Sequence, residues 1–526
     1  MGLFKSSFTF IQQYKIFLFI FIFFLCLHLY NFGSQRLYPF LDTPNHQALA
    51  AIYNSYGDNG NSLDKYYTFN IFPKPNVFHM IFCGSSFFPD IEVANKVFYF
   101  IYAIFFMLGI LLLIIRCKGN VWYTLLGFLL LYNINVGYGF TGFTISIPAI
   151  LFLILFTINF IERKTYLVAC FIAVLMVLLF FMHAMATLFS FMIYACCVLY
   201  FYIWGKNRNN ILMQLLPCLP AAALFCFWWI TDSRGYDGPG LISSLFQYYQ
   251  TTFLELFWHR GAIIVHDNFR LFGNVPGYIL ATFFSLVIFL FSIKPLYEKV
   301  TPVRSLIKSL PVRCILIFLL CSLCCSIFMP VELPGYSFLF QRFTVFLFLA
   351  IILIGSILAP KQLSRLSKFF LCCVVTIHCA LWVQNFSAFD KENKGFDKSF
   401  FSSCGQNDIV AALIYDYRFR DISVYNNFID YYTAWTNGIS TTRLIDDRSF
   451  SIGRKVGLEK LPEYIVWIGK NNNFQYDGRY KKVDHIIVRG ELPARSVKYM
   501  KDFIVIKQRG SWVLYSNKRS GGLELQ

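Results

Sequence analysis

The sequence predicts an α-helical polytopic membrane protein that ends in a small α/β domain outside the membrane. Three observations predict it. Of 526 residues, 57% are hydrophobic and only 14% charged, with a mean hydropathy of +0.55, whereas soluble domains carry roughly 25% charged residues. The apolar residues are gathered into long runs that match the roughly 20 residues a membrane helix needs. Near residue 387 the composition changes, and the polar stretch "FDKENKGFDKSFFSSCGQND" opens a tail of short mixed segments.

Taken in order, candidate spans run near 15–33, 95–115, 120–134, 143–161, 166–184, 186–204, 211–230, 276–293, 314–330, 340–359 and 369–386, about 11 transmembrane helices. The third is short and runs into "YNINVGYGFTG", which reads as a broken or re-entrant helix. The fifth and sixth nearly touch at His183, as in a tight helical hairpin. The first run lacks a small-residue cleavage site after it, since bulky "NFGSQRLYPF" follows, so it is expected to stay as a span. Phe (62) and Tyr (32) dominate an aromatic content of 20%, which suits lipid-facing and interfacial surfaces.

Orientation follows from the basic residues. With the N-terminus inside, the inner segments hold sixteen Lys and Arg and the outer loops before residue 386 hold eight. Cytoplasmic loops carry the excess of Lys and Arg, so the expected topology has a cytoplasmic N-terminus. An odd number of spans then puts the C-terminal domain on the exoplasmic side. The formal charge of +18 includes no dense basic block of the kind that binds nucleic acid. Most of the 16 Cys lie inside apolar runs and behave as small hydrophobes. A Cys83–Cys404 disulfide is left open, those two alone reading as exoplasmic.

The domain division expected is 1–386 for the membrane domain, with a first outer loop at 34–94 and a later one at 231–275, and 387–526 for the exoplasmic domain. The later loop contains "LISSLFQYYQTTFLELFWHRG", whose mixed character suggests an interfacial helix. In the tail, "DIVAALIYDYRF" reads as a helix, and "EYIVWIG", "DHIIVRG", "DFIVIKQ" and "SWVLYSN" read as strands bounded by Gly, Asn and Asp. The tail holds no phosphate loop and no nucleophile motif. No internal repeat is visible, so a transporter built of symmetric halves gains no support.

The residues that could carry chemistry stand at the outer ends of spans. In "LDTPNHQALAAIYNSYG", Pro44 favours a first helical turn, and Asp42 and His46 fall one turn apart on one side. Asp42 is either a helix cap or a base at the membrane surface, and the helix is expected to lie along that surface. Arg342, in "FLFQRFTVFLFL", places a cation among apolar residues. A charge at the centre of a span costs on the order of 2.5–3.5 kcal/mol, and less near an end. It either grips a phosphate, snorkels to headgroups, or pairs with Glu332 of "MPVELPGY". His183, in "FFMHAMATL" near the outer end of its hairpin, is either a buried polar residue or one that lines a substrate cavity. Asp90 and Glu92 of "FFPDIEVANK" are either solvated loop acids or ligands of a divalent cation. His259 and His266 read as interfacial polar residues.

A multi-span chain with its N-terminus inside, an acid early in a long first outer loop and an exoplasmic C-terminal domain resembles the GT-C superfamily of membrane glycosyltransferases. The resemblance implies a polyprenyl-phosphate-linked sugar donor, used at the outer face of a bacterial inner membrane, and a lipid or glycan acceptor. It puts the family's first-loop carboxylate on Asp42, as general base or as the group that positions acceptor or metal. It gives Arg342 the donor phosphate, with His46, His183 and Glu332 as further substrate-binding residues. Metal dependence stays open, because "LDT" stands where metal-dependent relatives have paired acids. Other functions left open are a lipid-linked-sugar flippase or transporter, a polysaccharide polymerase or ligase, and an assembly protein.

Overall fold

The computed structural model describes residues 2–518 apart from 59, 71–72, 205–210, 233–247, 250–252, 270–272, 298–308, 333–336, 442–450 and 456–482. Among the described residues, nine helices are long and apolar enough to cross a membrane. They are Tyr14–Ser34, Ile91–Arg116, Thr141–Arg163, Ala184–Trp204, Ile211–Thr231, Val275–Pro295, Leu310–Phe328, Leu339–Leu358 and Arg365–Glu392. Two further expected spans are shorter. The third is a 3-10 helix, Val121–Leu130, followed by a turn and the single-turn helix Ile134–Gly137. The fifth is the 17-residue helix Tyr166–Met182, which His183 alone separates from the next helix.

The chain divides into two compact units: residues 1–34, 99–136 and 143–384 in one, and residues 35–98, 137–142 and 385–526 in the other. The first is the helical one. Its innermost spans are Thr141–Arg163 and Leu339–Leu358, each buried over 78% of its most apolar stretch, against 22% for Ile211–Thr231 at the periphery. Exposed side chains on the outer helices are large and apolar, such as Phe19, Tyr166, Leu167 and Ile230. Water would penalise such a surface, and lipid does not.

Close helix contact here depends on small residues, because lipid offers no hydrophobic drive and packing has to supply the attraction. Gly355 lies on Ser292: a Cβ added there would meet Ser292 Oγ at 2.6 Å and its Cα at 2.7 Å. The obstacle is backbone, so the helices must part. Gly355→Leu is expected to cost about 1–3 kcal/mol or more, read as a lower midpoint of thermal unfolding in detergent. Gly355→Ala should lose less. An unchanged midpoint for the Leu variant would mean that this crossing is loose.

The second unit is built on a five-stranded sheet of order β5-β2-β7-β9-β8, with β2 (Ile409–Ile414), β5 (Ile439–Ser440), β7 (His485–Arg489), β8 (Phe503–Arg509) and β9 (Trp512–Asn517). Strands β5, β2 and β7 are parallel, and β9 runs antiparallel to both β7 and β8. Three of the expected strands are therefore β7, β8 and β9, while the segment "EYIVWIG" lies outside the described residues. The expected helix at 408–419 is wrong. Its first half is strand β2, interior to the sheet and buried at every position. A short apolar run covered on both faces does not alternate, so its two Ala mimic a helix pattern.

Strand β1 (Tyr67–Phe69), from the first loop, pairs antiparallel with β6 (Ile452–Arg454). The core is aromatic: Phe396 stacks on Trp512 at 4.3 Å, and Phe389, Phe400, Phe401, Phe428 and Tyr431 are fully or almost fully buried around them. Arg489, at 1% exposure, is buried in this core. It ion-pairs with Glu392 and, at 3.3 Å, with Asp416, and lies 3.6 Å over the Tyr425 ring. An arginine is tolerated there because its charge is paired and its flat face stacks.

Candidate active site

Asp42 opens helix Thr43–Ser55, with Pro44 in the first turn. Its backbone carbonyl begins the helix by accepting from the His46 N–H at 3.1 Å, yet its side chain makes no capping hydrogen bond. The half-buried carboxylate is turned elsewhere. Its Oδ1 accepts from Asn427 Nδ2 at 2.8 Å, and the same amide nitrogen stands 3.3 Å from the Leu41 carbonyl. The Asp42 N–H donates to the Tyr138 carbonyl at 3.0 Å. Gly139 follows at φ +72°, where a Cβ would stand 2.7 Å from Thr43 N and 2.9 Å from Asp42 N. Glycine meets both demands at once, a left-handed backbone and a close approach.

The helix is buried over ten of its thirteen residues. It packs between helices Asp430–Thr436 and Phe78–Cys83. Asn45 on it donates to Asp430 Oδ2 at 3.0 Å, and Ser440 donates to Asp430 Oδ1 at 3.0 Å. Asp430 is fully buried, and a buried carboxylate survives only with such donors. His46, half-buried, meets the His79 ring edge-on at 5.5 Å. His79 is buried with Nε2 at 3.1 Å from Asn95 Oδ1. Burial lowers its pKa to about 4, against the opposing pull of the Asn95 hydrogen bond, so this ring is neutral at physiological pH.

Asp90 and Glu92 have structural occupations. Asp90 Oδ1 accepts from the Val93 N–H at 2.7 Å, a cap on helix Ile91–Arg116, and Glu92 Oε1 accepts from Trp435 Nε1 at 2.7 Å. Among the described residues, no three His, Cys, Asp or Glu side chains gather as metal ligands would. Those described residues do not fit a divalent cation. Cys83 and Cys404 are free thiols; burial raises both, Cys404 to about 12 with Asp408 adding to it.

In the helical unit, Arg342 and His183 meet although 159 residues separate them. Helix Leu339–Leu358 begins after Phe338, which takes the left-handed φ of +57°, and Arg342 stands in its first turn. Arg342 Nη1 is 3.0 Å from His183 Nε2, its Nη2 donates to the Ser337 carbonyl at 3.2 Å, and its own carbonyl accepts from Asn135 at 3.2 Å. His183 Nδ1 accepts from the Met185 N–H at 3.2 Å, and its ring lies edge-on to Phe143.

Both nitrogens of His183 therefore face donors. A neutral imidazole accepts at one nitrogen only, and a guanidinium never accepts. A neutral His183 therefore accepts only one of the two contacts, and its tautomer decides which.

Glu332 is exposed, and among the described residues no ion pair joins it to Arg342. Arg260, in helix Phe253–Phe269, is buried with its guanidinium 4.3 Å from the Phe340 ring and Nη1 on the Ser326 carbonyl at 3.2 Å. This helix overlaps the interfacial one expected, whose earlier residues lie mostly outside the described ones. His259 is exposed, and His266 is half-buried against Tyr278 at 4.3 Å. Compared with known proteins, the chain matches no protein-family model and no curated sequence.

Proposed function

We propose that the chain is a membrane glycosyltransferase of the GT-C kind. It transfers a sugar from a polyprenyl-phosphate-linked donor to an acceptor hydroxyl at the outer face of a bacterial inner membrane. The observation that carries this reading is the Asp42 side chain: it opens a helix without capping it, and its carboxylate is held in place by a neutral amide. A base needs that kind of fixed and still ionisable carboxylate.

In the reaction, the acceptor oxygen attacks the anomeric carbon and passes its proton to Asp42. The bond from that carbon to the phosphate oxygen breaks, and the electron pair leaves with the polyprenyl phosphate. Phosphate is stable as an anion, so no separate general acid is required, in contrast to glycoside hydrolysis. The leaving charge calls for a cation, the role that the resemblance gives to Arg342. The excess of basic residues on the inner segments supports a cytoplasmic N-terminus. An odd number of crossings, the eleven expected from the sequence, then puts the C-terminal residues on the opposite side.

Purified full-length chain in nanodiscs, given polyprenyl-phosphate sugars and a pool of glycan and lipid acceptors, is expected to release free polyprenyl phosphate as transfer proceeds. A flippase would move the donor between leaflets and release none. One observation favours that second reading: His28, Tyr132 and His378 form a buried polar cluster within the helical unit. His28 Nδ1 is 3.0 Å from the Tyr132 hydroxyl, and the two imidazoles are 6.4 Å apart. Ionisable groups inside a membrane commonly mark transport paths. Leaflet exchange without release would replace the transferase reading.

A further inference from the structure

We infer that Asn427 is a positioning residue for Asp42, so that the C-terminal residues complete the candidate active site and do more than append a separate binding domain. Its catalytic consequence rests on the transferase reading above; the positioning itself does not. The Asn427 side chain bridges the Leu41 carbonyl and Asp42 Oδ1 with one nitrogen, at 3.3 and 2.8 Å. A side-chain amide that spans a backbone group and the neighbouring carboxylate fixes the carboxylate's rotamer. It does so without adding a charge.

The turn that carries Asn427 is braced at both ends. On one side Tyr425 is fully buried, donates to Glu392 at 2.7 Å, accepts from Asn393 at 3.1 Å and lies under the Arg489 guanidinium. On the other, Asp430 is tied to Asn45 of the helix that Asp42 opens. Three residues of 3-10 helix, Tyr425–Asn427, join these anchors. Such bracing is costly to build for a surface amide, and it is what a reacting group requires.

The test reads Asp42 directly. Dicyclohexylcarbodiimide modifies carboxyl groups in their protonated form, and peptide mass spectrometry of the full-length protein in nanodiscs gives the modified fraction of Asp42 at each pH. Asn427→Ala removes a hydrogen bond that favours the ionised form, and should move the half-labelling pH of Asp42 up by about one unit. Asn427→Asp keeps the shape and sets a second carboxylate against the first, and should move it further. The other ionisable groups on this helix and the elements packed around it, His46, Tyr53, His79, Cys83, Tyr425, Asp430, Tyr431 and Tyr432, are unaltered in every variant. Asp397, paired with Arg36, serves as the control and should not move.

Half-labelling at the native pH in both variants would overturn the inference. Should Asn427→Ala fail to fold, the isosteric Asp variant decides by the same reading. A shift in labelling together with no sugar transfer by the native protein would leave the positioning standing and remove the transferase reading.

Discussion

Asp42→Asn should lower the rate of sugar transfer by roughly 10²- to 10⁴-fold, the usual order for losing a general base, while the protein folds and inserts as before. The structure makes this substitution cleaner than it looks in the sequence. Because the Asp42 side chain does not cap its helix, no cap is lost with it. An Asn at 42 still offers a carbonyl oxygen to Asn427 Nδ2, so the contact survives as a hydrogen bond between neutral groups. Hydrogen bonds to charged groups are worth about 1.5–3 kcal/mol and neutral ones about 1 kcal/mol, so the stability change should stay near 1 kcal/mol. The measurement is the initial rate of polyprenyl phosphate release beside the midpoint of thermal unfolding. A near-native rate would make Asp42 a residue of the fold alone. A collapse of both readouts would make the variant uninformative about the base, and Asp42→Ser, a shorter acceptor, would then be compared at matched folded fraction.

Much of the architecture was legible because membrane spans are written in composition and length. Strands β7, β8 and β9 were legible for a similar reason, as short β-branched and aromatic segments between Gly, Asn and Asp. Strand β2 was not, since an unbroken "IVAALI" carries no period that separates a doubly covered strand from a helix. The site was readable only in pieces. Asp42, His183 and Arg342 each stood out as polar residues at the ends of apolar runs, but nothing local says that Arg342 reaches His183. Asn427 and Asp430 each meet a first-loop residue 385 positions away. His79 gave no signal at all, being one polar residue in a short apolar helix. Sequence spacing reports neighbours within an element, and contacts across hundreds of residues need the fold.

Arg342 allows charge and geometry to be separated. In the proposed reaction its guanidinium receives the donor phosphate and the charge that grows on the leaving oxygen. Arg342→Met keeps much of the stem and removes the cation, and the helix should insert at least as well without it. Affinity for polyprenyl phosphate, titrated by native mass spectrometry in nanodiscs, should fall about 10- to 100-fold, as expected for losing a charged hydrogen-bond partner, and transfer should fall further. Arg342→Lys keeps the charge but cannot hold the Ser337 carbonyl and face His183 with one fork, as the native side chain does. It should therefore recover part of the affinity and less of the rate. His183→Gln provides the cross-check: its amide can donate toward the phosphate, so it should weaken binding less than the Met substitution. If Arg342→Met binds polyprenyl phosphate and turns over as the native protein does, the phosphate is held elsewhere. Arg260, buried beside Phe340, then becomes the next residue to replace, with Arg234 and Arg270 outside the described residues after it.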